Sequence, residues 1–506
     1  MTRLGFLLDS DSCIGCHACT VACKSEHDVP LGVNRTWVKY IETGAFPDTS
    51  RHFSVMRCNQ CDDAPCMDIC PTSALFRADN GVVDFNDDIC IGCKGCMNAC
   101  PYDAIYMNPE TNTANKCNFC NHRVEVGLEP SCVVVCPTHA IKVVDFDDAD
   151  NAALKIINRE DVAVRAPEQN TNPKVYYRGA NQASLDPLRT SIRNDGLIWA
   201  DVTPSHPSPP VGPDDRGVVA RTTYTTAHHM TWKEKVSGYL VTKAITAGVM
   251  MVAALLVLMG HSGEQAAVGV VPPMIGGAFL AITGALLIAD LKQPKRFIYL
   301  ITKGNKTSWL VKGAYILGAN AVVLALWWVG GLADAGALLK VLAIPAALLA
   351  AATAGYTAFL FGQCEGRDLW QGEMLLPMLL SQATAAGGAT YLIMDLFMDL
   401  PEVTAIRWVT LAGIGAMAVV LAIEFSGSHT RHVEMALHTM SHGEHKDRFW
   451  TGVLLGMMTP AAILIVALAT NASDPVLPAL AALAVIVGMW FYEDSYVRAG
   501  QSVPLS

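Results

Sequence analysis

The sequence predicts a two-part protein: a cysteine-rich α+β region, followed by an all-α bundle of eight transmembrane helices. Of the 17 cysteines in 506 residues, sixteen lie between Cys13 and Cys136. No apolar run before Glu234 reaches the roughly 18 residues that span a bilayer, whereas such runs follow one another from Lys235 onward. A charged fraction of 16% excludes a wholly soluble protein, and a net charge of −10 without a basic stripe excludes a nucleic-acid binder.

The cysteines form four quartets, and their spacing predicts iron–sulfur chemistry. The quartets are Cys13, Cys16, Cys19 and Cys23; Cys58, Cys61, Cys66 and Cys70; Cys90, Cys93, Cys96 and Cys100; and Cys117, Cys120, Cys132 and Cys136. The C-x2-C-x2-C-x3-C spacing of the first and third is typical of bacterial ferredoxins, in which the fourth cysteine reaches a second cluster. The segments CPTSAL, CPYDAI and CPTHAI indicate duplicated ferredoxin-like halves. Four quartets therefore predict four [4Fe-4S] clusters.

Other uses of these cysteines are less consistent with the pattern. Zinc also binds CxxC pairs, but the quartets follow ferredoxin spacing. Disulfides need an oxidising compartment, and no signal peptide precedes Cys13. Residues 13–17 match the C-x-x-C-H motif for haem attachment, but both of their cysteines already belong to the first quartet. We therefore expect clusters and no haem.

With these motifs, residues 1–180 resemble the four-cluster iron–sulfur subunits of molybdopterin oxidoreductases such as dimethyl sulfoxide and polysulfide reductases. The resemblance implies a ferredoxin-like domain, predicted over residues 1–150, in which quartets share clusters crosswise. The implied ligand groups are Cys13, Cys16, Cys19 and Cys136; Cys23, Cys117, Cys120 and Cys132; Cys58, Cys61, Cys66 and Cys100; and Cys70, Cys90, Cys93 and Cys96.

Residues 151–233 are predicted to form a proline-rich, extended linker, because segments such as SHPSPPVGPDD favour neither helix nor central strand. The segment TNPKVYY at 171–177 is expected to pack on the ferredoxin-like body. Nothing catalytic is evident in this stretch.

The membrane domain is predicted over residues 234–506. Its eight spans are expected at 236–260, 266–290, 308–331, 336–361, 374–397, 404–425, 450–471 and 475–493. Loops on the cluster side carry most of the cations: Lys292, Lys295, Arg296, Lys303, Lys306, Arg367, Arg431, Lys446, Arg448 and Arg498. The opposite side carries only Lys340 and Arg407. Because cytoplasmic loops retain Lys and Arg, the cluster domain is predicted to face the cytoplasm.

The membrane half resembles the NrfD-type quinone-interacting anchor of polysulfide reductase, usually a separate subunit. The supporting stretches are YLVTKAITAG at 239–248, ADLKQPKRF at 289–297, GYTAFLF at 355–361, RFWTGVLLG at 448–456 and YVRAGQSVPL at 496–505. The resemblance implies a quinone pocket between the first and fourth spans, on the cluster side. Its candidate residues for quinone binding or proton relay are Tyr239, Lys243, Asp290, Arg296, Tyr356 and Glu424.

Simpler roles remain open for several of these residues. Tyr239 and Tyr356 can be interfacial anchors, and Lys243 can extend its amine toward water, as can Lys312. The predicted spans contain no histidine for a membrane haem. A loop carries His438 and His442 one turn apart, with Glu434 a turn earlier, which suggests either a metal site or a solvated, proton-collecting patch.

We therefore expect an electron-transfer and anchor subunit of the cytoplasmic (inner) membrane. It would carry electrons between a molybdopterin (Mo or W) catalytic subunit and ubiquinone or menaquinone in the lipid bilayer. The chain shows no pterin site, nucleotide loop or nucleophilic triad, so substrate chemistry belongs to the partner. The alternative is a redox-driven proton translocator, for which Lys243, Asp395 and Glu424 are the scattered ionisable candidates.

Overall fold

The computed structural model describes residues 3–192, 220–226, 229–471 and 473–506. In the amino-terminal domain the strands are β1 (Leu4–Asp9), β2 (Thr36–Ala45), β3 (Asp48–Arg57), β4 (Leu75–Arg77), β5 (Val83–Phe85), β6 (Ile105–Met107), β7 (Ala114–Lys116), β8 (Ile141–Asp145), β9 (Val162–Ala163), β10 (Val175–Arg178), β11 (Ser191–Ile192) and β12 (Ala220–Tyr224). The helices between them are α1 (Ala18–Glu26), α2 (Pro65–Asp68), α3 (Gly95–Ala99), α4 (Asn121–Val124), α5 (Ser131–Val134), α6 (Ala152–Ile157) and α7 (Gln182–Leu185).

The strands form two four-stranded sheets and two small hairpins. One sheet has the order β8-β1-β10-β9, and the other has the order β11-β12-β2-β3. The hairpins pair β4 with β5 and β6 with β7. Strands β4, β6 and β8 each follow one of the three repeated Cys-Pro segments, and each segment turns through a positive φ, at Ser73 (53°), Asp103 (53°) and His139 (52°). The predicted internal repeat is therefore a repeat of structure.

The prediction of an extended linker is wrong for residues 152–192. Strand β10 pairs with β1 in parallel and β9 pairs with β10, so this segment completes the first sheet. The expectation that TNPKVYY packs on the ferredoxin-like body is confirmed by this pairing. Strand β12 is also part of the domain, because it pairs with β2. The proline-rich stretch 193–219 lies outside the described residues.

The carboxy-terminal half is helical. Its helices are α8 (Glu234–Leu258), α9 (Val271–Asp290), α10 (Tyr299–Thr302), α11 (Trp309–Leu332), α12 (Gly336–Gly362), α13 (Leu375–Met394), α14 (Val403–Ser426), α15 (Arg431–Ser441), α16 (Lys446–Val453), α17 (Thr459–Ala469) and α18 (Val476–Ser502). A π-helical turn, Gln265–Val270, precedes α9, and another, Leu454–Met458, joins α16 to α17. In the described part of the protein, seven helices are long and apolar enough to cross a membrane.

Helix α13, which coincides with the fifth predicted span, is not among those seven. It is 20 residues long, and most of its side chains are buried in the bundle. A Cβ on Gly248 of α8 would lie 1.9 Å from the carbonyl oxygen of Ala383, so the two helices pack backbone to backbone. Small and polar residues such as Gly387 and Gln382 make this approach easy. A helix that its neighbours shield from lipid needs fewer apolar residues, which explains why α13 is less apolar than the other seven helices.

The last helix is longer than predicted. The sequence placed its end at Glu493, whereas α18 continues to Ser502. The polar segment after Tyr492 resembles a loop in sequence, but Glu493, Asp494 and Ser495 are all buried. This extension places two carboxylates inside the helical bundle.

Candidate metal centres and a buried polar pocket

The first C-x2-C loop of each quartet turns through the left-handed backbone region just before its second cysteine. The residues that do so are Gly15, Gln60, Gly92 and Phe119, with φ values of 70°, 49°, 67° and 61°. Glycine adopts this conformation without strain, whereas Gln60 and Phe119 must be held in it by their surroundings. All four quartets thus begin with the same local backbone turn.

Two cavities are each surrounded by four cysteines. The third group, Cys58, Cys61, Cys66 and Cys100, lines one cavity, and the membrane-side group, Cys70, Cys90, Cys93 and Cys96, lines the other. Each group takes three cysteines from one quartet and one from another, as crosswise cluster ligation requires. The fold therefore brings together two of the four groups that the resemblance implied.

The other eight cysteines form two adjoining groups. These are the outer group, Cys13, Cys16, Cys19 and Cys136, and the second group, Cys23, Cys117, Cys120 and Cys132. Burial raises the pKa of Cys23, and the surrounding thiolates raise it further. Cluster assembly at such sites must release these protons.

The chemistry of the donor sets fits [4Fe-4S] clusters. Within the described residues, no three Cys, His, Asp or Glu side chains lie close enough together to hold a single metal ion. Backbone amides donate to ligand sulfurs, from Ala114 to Cys90 Sγ at 3.4 Å and from Ala140 to Cys136 Sγ at 3.3 Å. Hydrogen bonds of this kind tune cluster potentials. When bound, the clusters supply one-electron redox centres.

The outer group is the most exposed of the four groups. In the outer group Cys16 is exposed and Cys13 is half-buried, whereas all four cysteines of the third group are buried. The membrane-side group adjoins the helical bundle, since Trp232 Nε1 donates to the Cys93 carbonyl at 3.1 Å. Trp232 in turn stacks on Phe361 and Trp370, with ring centroids 5.6 and 5.4 Å apart.

Two of the predicted quinone residues instead fasten the membrane-side group to the bundle. Asp290, at the end of α9, pairs with Lys94 at 2.8 Å. Arg296 Nη1 donates to the carbonyls of Asp87 and Cys90 at 2.6 and 2.8 Å. These contacts hold the loop that carries Cys90 and Cys93 and give both residues a docking role.

Further contacts strengthen the same junction. Asn305 Nδ2 donates to the Cys70 carbonyl at 3.0 Å, and Ser308 Oγ donates to the Ile69 carbonyl at 2.7 Å. A Cβ on Gly366 would lie 2.7 Å from the Cys100 carbonyl oxygen, so no larger residue fits there without movement. The membrane-side group is thus held by backbone contacts from several membrane-domain segments.

Three other predicted residues meet inside the bundle. The Lys243 ammonium lies 4.8 Å from the ring centroid of Tyr356 and 5.8 Å from that of Tyr239. It also donates to the hydroxyl of Thr357. All three predicted residues are buried, and the Tyr239 hydroxyl has no aligned hydrogen-bond partner among the described residues. A buried, unsatisfied hydroxyl costs about 1–3 kcal/mol, so this one is suited to binding a polar ligand atom.

A second charged residue, Glu493, lies beside these three and was not predicted. Glu493 on α18 acts electrostatically on Lys243, and Gln382 on α13 lies beside it. Both side chains are at most 2% exposed, and Gln382 Nε2 is another buried donor without an aligned partner in the described residues. The sequence signal was an ionisable residue in an apolar run, but the predicted span ended at that residue. We call Tyr239, Lys243, Tyr356, Gln382 and Glu493 the polar pocket.

The neighbouring Asp494 belongs to a separate network. It is fully buried, and its carboxylate pairs with Arg498 Nε at 2.9 Å and with Arg448. Ser237 of α8 donates to its other oxygen at 3.1 Å. The network ties α8, α16 and α18 together near the cluster side.

The remaining candidates lie outside the pocket. Glu424 is half-buried at the end of α14 near His429. Lys312 lies over the ring of Trp309, 4.5 Å from its centroid. The rings of His438 and His442 stack 5.5 Å apart, and no described group of three ligands forms around them. The structure thus shows no gathering of metal ligands at these histidines among the described residues.

The fold and the cysteine groups define an iron–sulfur electron-transfer domain joined to a helical membrane domain. Residues 12–75 and 50–146 match two 4Fe-4S dicluster domain families, and residues 223–503 match the polysulphide reductase NrfD family. The NrfD match covers more than half of the chain, which therefore belongs to that family and carries 4Fe-4S dicluster domains on the same polypeptide. The predicted combination of an iron–sulfur electron-transfer region and an NrfD anchor is confirmed.

The chain is similar to proteins that include, by name, subunits of tetrathionate and polysulfide reductases. The chain is 37% identical over 204 residues to the B subunit of tetrathionate reductase from Salmonella typhimurium, covering 40% of this chain and 81% of the relative. It is 40% identical over 177 residues to protein NrfC of Escherichia coli, covering 34% and 79%. It is 38% identical over 177 residues to the B chain of polysulfide reductase from Wolinella succinogenes, covering 34% and 93%.

Proposed function

We propose that this protein carries electrons through four [4Fe-4S] clusters between a separate molybdopterin catalytic subunit and membrane quinone. The observation that carries the proposal is the position of the membrane-side group. It is fastened to the bundle by Lys94–Asp290 and by Arg296. Its Cys93 carbonyl also accepts a hydrogen bond from Trp232, which lies just before α8, one of the helices of the polar pocket. Electrons can therefore cross from the cysteine-rich domain into the membrane without a further subunit.

Quinone chemistry supports the assignment of the polar pocket. Quinone reduction consumes two electrons and two protons, so its site needs hydrogen-bond donors and a proton source. The buried hydroxyl of Tyr239 lies near Thr357 and the amide of Gln382 lies near Glu493, and neither donor has an aligned hydrogen-bond partner among the described residues. Lys243 and Glu493 are ionisable groups at the same place, and such groups inside a membrane usually mark function. Their role is to bind the quinone oxygens and to hold or pass protons there.

The relatives and the exposed outer group support a separate catalytic partner. The similar proteins from Salmonella typhimurium and Wolinella succinogenes are, by name, parts of a tetrathionate reductase and a polysulfide reductase. The outer group, with Cys16 exposed, is where electrons would enter from or leave to such a partner. Purification of the full-length protein from its native membrane tests this directly. A co-purifying large subunit with molybdenum or tungsten is expected, and a full-length protein that consistently purifies with no large subunit and neither metal would contradict it.

The membrane arrangement is also part of the proposal. Eight crossings result if α13, 20 residues long, spans together with the seven more apolar helices. Arg296 and Arg431 contact the ferredoxin-like domain, so basic residues lie on its side as predicted. The positive-inside rule therefore supports our proposal that the clusters face the cytoplasm. Protease added to sealed, right-side-out membrane vesicles should leave the cluster domain intact. Cleavage of the cluster domain would show the opposite orientation.

Redox-driven proton translocation is the second candidate. It is favoured by a cavity of about 290 Å³ that Asp395 and Arg407 line at the opposite end of α13 and α14. Together with Lys243 and Glu493 this places ionisable groups near both faces. Proton uptake by sealed vesicles during quinone turnover decides the question. Translocation beyond the protons of quinone chemistry supports pumping, and its absence rejects pumping.

A further inference from the structure

A basic residue stands directly before the first cysteine of two quartets. Arg57 precedes Cys58, and Lys116 precedes Cys117. Both side chains have 0% exposure, so neither charge is solvated. Since the two quartets belong to duplicated halves, these residues occupy equivalent positions of the repeat.

Arg57 lies among cysteines of two groups. Its Nη1 donates to Cys132 Sγ at 3.3 Å, and its guanidinium lies 4.3 Å from the ring centroid of Phe6. The charges that act on it belong to Cys132 and Cys117 of the second group and to Cys19 of the outer group. Its Nε and Nη2 atoms have no hydrogen-bond partner within the described residues. Two buried donors are therefore available to further acceptors at this place.

Lys116 has the reciprocal position. Its ammonium donates to the carbonyls of Val83 and Cys117, and its charge acts on Cys66 of the third group. Each cation thus precedes a cysteine of one group and faces sulfurs of another. Arg57, next to third-group Cys58, faces the second group, while Lys116, next to second-group Cys117, faces the third.

A buried cation is costly unless an anion compensates it. The contacts of Arg57 and Lys116 among the described residues include cysteines and carbonyls but no carboxylate. Lys174 shows the contrast, because it is equally buried but pairs with Asp62 at 2.9 Å. The anions that Arg57 and Lys116 require are consequently the thiolate-ligated clusters, which are negatively charged.

We propose that Arg57 and Lys116 are buried counter-ions of the clusters in the outer, second and third groups and raise the reduction potentials of these clusters. Reduction adds one electron and no bond, so each cluster becomes more negative, and a fixed nearby cation favours that state. Arg57 acts on the outer and second groups, and Lys116 acts on the third. The proposal rests on the proposed occupancy of the four groups by [4Fe-4S] clusters.

The test is a redox titration of the purified full-length protein, followed by low-temperature EPR. Arg57→Gln should lower the potentials of two couples, so that their reduced-to-oxidised ratio at a fixed potential falls about tenfold, or about 59 mV for one electron. Lys116→Gln should lower a different couple. Arg57→Lys and Lys116→Arg keep the charge and should retain most of the wild-type potentials.

Two control variants remove cations that are already neutralised or solvated. Lys174→Gln deletes a buried cation paired with Asp62, and Arg51→Gln deletes one that is 55% exposed and paired with Glu42. Neither control should move any couple. Selective loss of the same clusters in Arg57→Gln, with their retention in Arg57→Lys, also supports the counter-ion role. Three results would overturn the counter-ion role. The first is unchanged potentials in both Arg57→Gln and Lys116→Gln, and the second is an equal shift in Arg57→Gln and Arg57→Lys. The third is loss of all clusters in every Arg57 variant.

The failure of the broader proposal has a different signature. If wild-type protein lacks four iron–sulfur couples, the assignment of the cysteine groups fails before any variant is compared. If all four couples are present but insensitive to Arg57 and Lys116, only the counter-ion role fails.

Discussion

The two halves of this protein bury charge in different ways. In the cysteine-rich half, Arg57 and Lys116 are buried beside cysteine groups and lack carboxylate contacts among the described residues. In the membrane half, Glu493 faces Lys243, and Asp494 pairs with Arg498 and Arg448. The comparison indicates that the first half depends on bound clusters for electrostatic compensation, whereas the second is compensated by its own side chains.

The largest difference should appear when iron is withheld. Without clusters, the cysteine-rich half contains buried thiols and uncompensated cations, so it should unfold as many metal-dependent domains do. The membrane helices should keep their helical content. Limited proteolysis and circular dichroism of protein produced in iron-depleted cells measure both effects. An iron-free amino-terminal domain that resists protease as well as the holo-protein does would contradict the comparison.

Loss of one cysteine ligand of the membrane-side group should stop electron transfer between the two halves. Cys93→Ser should remove the cluster nearest the bundle and abolish electron exchange with quinone, because the remaining groups lie on the far side of that junction. Cys364→Ser is the matched control, since Cys364 is buried but belongs to no quartet. Iron content and EPR should show one lost cluster in the first variant and none in the second. Four intact clusters in Cys93→Ser would refute the ligand assignment.

Substitutions of the two adjacent carboxylates on α18 should differ in whether they lower quinone turnover or the stability of the fold. Glu493→Gln should lower quinone turnover about a hundredfold, the scale of a lost acid–base group, while the protein stays folded. Asp494→Asn should instead lower the free energy of unfolding by roughly 3 kcal/mol, because it leaves Arg498 and Arg448 without their anion. Turnover and chemical denaturation of both variants distinguish these roles.

A matched lysine pair sharpens the assignment of the pocket. Lys243→Met should slow quinone turnover, whereas Lys312→Met should not, because Lys312 lies over Trp309 outside the polar pocket. Equal effects of the two substitutions would show that the pocket is placed wrongly.

Lys39, a buried lysine near Arg165 and Asp186, predicts a smaller, pH-dependent effect. Burial lowers the pKa of Lys39 to about 7, with help from the nearby Arg165 charge. The unfolded protein then binds more protons between about pH 7 and 10.5, so the cost of Lys39 is full below pH 7 and disappears above 10.5. Lys39→Met should therefore stabilise the protein below pH 7, by at most about 5 kcal/mol, and much less above pH 10.5. Denaturation at several pH values measures this, and a pH-independent gain would count against it.

Much of the fold was predictable from spacing and apolar length. Cysteine spacing predicts cluster-binding loops because the ligands of one cluster must lie at fixed separations. Long apolar runs predict membrane helices because a bilayer-spanning helix needs about 20 apolar residues. The linker was misjudged because β10 has only four residues and lies between prolines. The end of α18 was misjudged because its polar residues are buried by neighbouring helices rather than by lipid.

The candidate site was predictable only in part for a related reason. Sequence identified Tyr239, Lys243 and Tyr356, whose spacing places them on inward faces. It also assigned Asp290 and Arg296 to the quinone site, because charges at span ends are conspicuous in sequence. Their actual partners, Lys94 and the Cys90 carbonyl, lie about two hundred residues away in the sequence, so no local pattern reveals the docking role.

The most direct test of the account is whether quinone oxidises the clusters of this protein alone. Purified protein in lipid nanodiscs is reduced with dithionite, freed of excess reductant and mixed with a soluble quinone, and EPR follows the cluster signals. We predict that all cluster signals disappear in wild-type protein, whereas in Cys93→Ser the signals of the three remaining clusters persist. Wild-type clusters that stay reduced in the presence of quinone, in folded protein with full iron content, would contradict it.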